Sequence, residues 1–132
     1  MNSMEIHRIF FQLFQRNGVS IEREVEDFEI EHQVQQPQKL TKAIRQTDNL
    51  VQIPIPSGIT FKYVLILATY LTDDTAVGVR RGDPAPIVIR TNGSNQNHIL
   101  PQGFITWSGG LNSLRVATPY DTNQILVEVY LG

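Results

Sequence analysis

The chain has 132 residues, 41% of them hydrophobic and 18% charged, with a net charge of −2 and no cysteine. That length suits one domain with a real core, and the missing cysteine rules out disulfides and thiolate metal sites. The near-neutral balance offers no bulk attraction for nucleic acid or an anionic membrane.

Residues 1–18 fit two readings. Ile6, Ile9, Phe10, Leu13 and Phe14 recur at helical spacing, with Asn2 and Glu5 as a capping box and Asn17-Gly18 as the stop. The same Asn17-Gly18 would also turn a hairpin pairing residues 10–15 with 19–24. Three phenylalanines within five residues favour the hairpin, because aromatics suit a pleated surface. Glu5 and Arg8 interrupt this apolar start, and no small-residue cleavage site follows, so no targeting segment is expected.

From residue 19 to 34 apolar and polar residues nearly alternate, and the phase changes across Glu26-Asp27. One extra residue there predicts a bulge, or a turn between two strands. Glu22, Glu24, Glu26, Glu29 and Glu31 mark a wet face. Residues 33–42 are rich in Gln. They read as a solvated connection or as an extended arm on a neighbouring subunit, since a polar segment without its own core orders only where something covers it.

Residues 49–55 alternate and then meet Pro56-Ser57-Gly58. Pro54 cannot donate to a ladder, so this strand is expected at an edge, or to end there. Residues 61–71 are apolar on both faces at their centre, which predicts a central strand covered on both sides. Their longest uninterrupted apolar run, residues 63–68, is too short to span a bilayer. A turn at 72–75 precedes a predicted strand at 76–80, with Gly78 at a bulge, and Gly82-Asp83-Pro84 turns again. Ile87-Val88-Ile89-Arg90 runs into Thr91-Asn92-Gly93-Ser94 and a polar tip at 95–97. Residues 104–107 follow Pro101-Gln102-Gly103 and close at Ser108-Gly109-Gly110. Residues 112–118 and 124–131 alternate around 119–123 and are expected to pin the last residues in a sheet.

About eight to ten short strands with dense turn signals predict an all-β fold. The expected architecture is an antiparallel two-sheet sandwich, jelly-roll-like, over residues 50–132. An N-terminal hairpin, helix or arm would occupy residues 1–49.

One succession carries a family resemblance. Ile53-Pro54-Ile55-Pro56-Ser57-Gly58 leads to an apolar strand and Asp73-Asp74. A strand ending in Asn92-Gly93 follows, then Trp107-Ser108-Gly109-Gly110, then a chain-terminal hairpin from Ser113-Leu114-Arg115-Val116 to Val127-Glu128-Val129-Tyr130-Leu131-Gly132. This order resembles small jelly-roll-like structural proteins of tailed-bacteriophage virions, over roughly 60% of the chain. The resemblance implies a decoration, cement or tail-associated role, commonly as a homotrimer, and brings no catalytic residues.

Each short motif has a plainer reading. Arg81-Gly82-Asp83 spells an integrin tripeptide, but Gly-Asp-Pro is also good turn chemistry. Asn92-Gly93-Ser94 is a glycosylation sequon and equally a turn accepting positive φ. Asp73, Asp74 and Asp83 lack the alternation of a calcium loop. His7, His32 and His98 form no metal-ligand pair in sequence. Ser108-Gly109-Gly110 is not a nucleophile elbow. Arg80, Arg81, Arg90 and Arg115 fit interface arginines better than a nucleic-acid patch. Trp107, Tyr120, Tyr130, Phe104 and Tyr70 could line a sugar platform, although a lone Trp more often packs a core or an interface.

The functional expectation is a non-enzymatic structural protein of the virion, a capsid decoration or cement protein or a minor component. It would act as a homo-oligomer, a trimer, with other virion proteins such as the major capsid protein, and without nucleic acid or membrane. Expected interface residues are Phe10, Phe11, Phe14, Arg81 and Trp107; no catalytic, cofactor or metal residue is expected. The alternative is a carbohydrate-binding or receptor-binding module of an adhesion apparatus, with aromatics beside loops 92–98 and 107–112. A small enzyme is the third reading.

Overall fold

A computed structural model describes the backbone of residues 5–16, 22–34, 36–119 and 124–132, and their side chains except at 13–16 and 22–28. The chain divides into two compact units, Met1–Gln35 and Gln36–Gly132.

In the first unit, β1 (Glu5–Arg16) and β2 (Glu22–Val34) form an antiparallel ribbon, so the hairpin reading holds over the helical one. Asn2, Asn17 and Gly18 lie outside the described residues. Pairing runs from Glu5↔Val34 to Arg16↔Glu22, which sets residues 10–15 against 23–29 and not 19–24. Leu13 faces Glu26 while Phe14 faces Glu24, so Val25 is the extra residue. The phase change seen in sequence is therefore a bulge inside one continuous strand. Arg8 reaches Glu29 at 2.7 Å and Glu31 at 3.5 Å, which favours this register on the polar face.

The second unit holds β3 (Gln38–Ile44), β4 (Val51–Ile53), β5 (Tyr63–Tyr70), β6 (Ile87–Thr91), β7 (His98–Leu100), β8 (Phe104–Ser108), β9 (Leu114–Ala117) and β10 (Ile125–Leu131). They build two antiparallel sheets, ordered β3-β10-β5-β8 and β4-β9-β6-β7. First pairs with last and the scheme closes inward: β3 with β10, β4 with β9, β5 with β8, β6 with β7. This is one long antiparallel ribbon rolled across two layers, the jelly-roll-like sandwich expected from sequence.

Three local expectations are corrected. Part of the Gln-rich stretch is a strand: β3 pairs with β10 along its whole length, and its polar side chains suit a sheet edge. Residues 75–77 form a 3-10 turn instead of a strand, capped by the Asp74 side chain on the Ala76 N–H at 3.2 Å and ended by Gly78 at φ 71°. The chain-terminal hairpin is absent, because β9 and β10 belong to opposite sheets. By contrast β4 is an edge strand that stops at Ile53, just before Pro54. Gly132 is pinned by backbone hydrogen bonds with Lys62 and Tyr63.

Alternation decides the core. On β10, Ile125, Val127, Val129 and Leu131 are fully buried and the residues between them are not. They join Ile66 of β5 and, from the other sheet, Ile53, Ile87, Leu114 and Val116 in one cluster.

The outer side of the same sheet carries one ionic contact. Lys39 lies opposite Tyr130, with Nζ 3.2 Å from Glu128 Oε2 and 5.2 Å from the Tyr130 ring centroid. The Glu128 bond, then Tyr130, raise the Lys39 pKa above 10.5. A raised lysine pKa stabilises the fold below its ordinary value and loses that contribution as pH climbs through the raised one. Wild type should therefore exceed Lys39→Met in urea midpoint at pH 8, and the two midpoints should converge at strongly alkaline pH.

Candidate functional site

Two surfaces of the sandwich stand out. The first is the outer face of the β3-β10-β5-β8 sheet. Its register sets Tyr130 beside Leu65, and Glu128, Leu67 and Phe104 in one row across three strands. Leu65, Leu67, Leu126 and Tyr130 are partly exposed and Phe104 is 44% exposed. An outward face normally reads polar, so this one departs from the usual pattern of an antiparallel sheet.

The second lies at the open side of the sandwich, where both sheets end, one in β7 and the other in β8. Trp107 pairs with Val64 and Ile105 with Ile66, so both share the inward face of β8. His98 pairs with buried Ile89, which puts it on the inward face of β7. Ile89, Thr91, His98, Ile105 and Trp107 line a cleft of about 240 Å³.

The loop after β6 is held from several sides. Arg90 Nε donates to Asn97 Oδ1 at 2.7 Å and Arg115 Nη2 to the Ser94 carbonyl at 3.2 Å. Asn92 Oδ1 accepts from the Asn112 N–H at 2.8 Å, and Ser113 Oγ from the Gly93 N–H at 3.0 Å. These bonds give Arg90 and Arg115, which face each other across β6 and β9, neutral partners in place of carboxylates. Asn92 also sits at φ 53°, where Asn is favoured among non-glycine residues. Asn92→Ala should cost about 1–2 kcal/mol from the lost hydrogen bond and the backbone conformation, read as a lower thermal midpoint.

The residues singled out in sequence scatter. Phe10 is 49% exposed and Phe11 partly exposed on β1, which also carries Phe14. Arg81 is exposed on a turn, its N–H bonded to Asp73 Oδ1 at 2.7 Å. Trp107 faces the cleft. The carboxylates of the supposed cation loop are occupied by the turn itself: Asp74 caps the 3-10 turn and Asp83 accepts from the Arg80 N–H at 3.1 Å. This also turns the Asp of Arg81-Gly82-Asp83 back onto its own loop. Tyr120 lies outside the described residues.

His7 and His32, far apart in sequence, are direct partners across the ribbon, and His7 Nε2 meets Glu5 Oε2 at 2.9 Å. Among the described residues no three His, Asp or Glu converge as metal ligands. Sequence reasoning missed that His98 and Trp107 line one cleft, although both flank the loops where aromatics were sought.

No family model, curated protein or solved structure matches the chain.

Proposed function

We propose that this protein is a non-enzymatic structural component of a virus particle, a decoration, cement or minor virion protein that works as a symmetric homo-oligomer, a trimer. One observation carries the reading: the apolar patch of Leu65, Leu67, Leu126 and Phe104 on the outer face of the β3-β10-β5-β8 sheet of a jelly-roll-like body. Covering Leu65, Leu67, Phe104 and Leu126 with a neighbouring subunit gains about 25 cal/mol for each Å² removed from water, before association costs. The N-terminal ribbon supports the same reading, since it exposes Ile6 and Phe10.

Light scattering on the purified chain should give three times the chain mass at micromolar concentration; a stable monomer would overturn the assembly. Phe104→Glu should keep the β-type circular dichroism and weaken self-association at least tenfold, about 1.4 kcal/mol or more. Purified particles from the source should contain the protein by mass spectrometry, and its absence from them would overturn the virion role.

A further inference from the structure

We infer that the edge cleft between β7 and β8 is a binding site for one neutral sugar ring. Among the described residues its lining holds no Asp, Glu, Lys or Arg, so the ligand it suits carries no charge. At about 240 Å³ it lies below the range of sites for larger ligands, and a single ring matches that size.

The chemistry is divided as a sugar ring requires. Ile89 and Ile105 give the lining apolar surface, and Trp107 adds an aromatic side chain. The C–H face of a pyranose is weakly positive and meets the negative face of an indole favourably. Three of the lining residues carry hydrogen-bonding side chains: Trp107, Thr91 and His98. None of these three side chains has a hydrogen-bond partner among the described residues. They offer donors and acceptors to hydroxyl groups without breaking an existing bond.

The rim is organised beforehand. The Arg90 bond to Asn97 fixes the residue next to His98, and the Ser113 and Asn112 contacts hold the other end of the loop. A rim already ordered loses less entropy on binding. Arg90 is a positioning residue here, since it acts on the cleft through Asn97.

Trp107 is the sole tryptophan, so its fluorescence reports on this cleft alone. The test titrates the whole protein separately with glucose, galactose, mannose, N-acetylglucosamine and rhamnose. At least one should give a saturable emission change, with a dissociation constant on the order of a millimolar, as expected of so small a ligand. His98→Ala keeps the reporter and should weaken that sugar at least tenfold. Arg90→Lys should weaken it less, with unchanged circular dichroism. No saturable change with any of the five sugars up to about a hundred times that constant would overturn the inference. So would an emission that follows protein concentration instead of sugar, because the cleft would then be filled by a second copy.

Discussion

Gly103→Ala is expected to be among the most damaging single changes in this chain. Gly103 is buried at the corner between β7 and β8 with φ 62°. Its carbonyl accepts from the Ala68 N–H at 2.7 Å, and the Ala68 carbonyl accepts from the Ala85 N–H at 3.0 Å. A β-carbon at Gly103 would overlap the Ala85 carbonyl oxygen and stand 2.7 Å from the Ala68 oxygen. Both obstacles are backbone atoms in hydrogen-bonded structure, so neither can swing aside as a side-chain tip would. The left-handed backbone costs an alanine about 1–2 kcal/mol and the overlap about 1–3 more. Gly93 is the control: its φ is 77°, yet nothing lies within 4 Å of a β-carbon there. Gly93→Ala should therefore show only the backbone cost. Urea midpoints followed by circular dichroism separate the two, and equal shifts would mean that the corner at Gly103 is not close-packed.

The second large effect is Ile66→Ala, expected to cost about 2–5 kcal/mol. Ile66 is fully buried at the centre of β5, with Val129 of β10 on one side and Ile105 of β8 on the other. Removing its outer carbons leaves a void in a core shared by both sheets, and the rigid ladders on either side limit collapse. The loss is a large part of the roughly 5–15 kcal/mol that holds a typical domain together. Ile99→Ala makes the comparison, since Ile99 is 67% exposed on β7 and should change stability by no more than about 0.5 kcal/mol. Comparable losses at the two positions would contradict the assigned inward and outward faces.

The two proposed surfaces lie on different parts of the sandwich, and their tests are independent. Phe104→Glu tests self-association on the outward side of β8, whereas His98→Ala tests ligand binding at its open edge. Phe104 and Trp107 share β8 but face opposite ways, because three positions along a strand reverse the side-chain direction.

Much of the architecture follows from local pattern. Alternation in residues 125–131 specifies which side chains are buried. The doubly apolar centre of β5 predicts a strand covered on both sides, yet at that centre only the inner face is buried, and Leu65 and Leu67 on the outer face stay partly exposed. The skipped phase near Val25 marks the bulge. Pro54 fixes where β4 must end, since it has no N–H to give. These signals are legible because they depend only on the two-residue repeat of a strand and on single-residue backbone limits.

What the chain alone left open was partner choice. Alternation tells which way a side chain points but not which strand lies beside it, and many antiparallel strands satisfy one another's hydrogen bonds equally well. Burying both apolar layers at once settles the matter. That requirement sends β9 and β10 to opposite sheets, although they are neighbours in sequence. It leaves β7 and β8 as the edge strands of their sheets, so that Trp107 and His98 come to share one cleft. The register of the ribbon, and with it the meeting of His7 and His32, is likewise not encoded by the spacing of apolar residues.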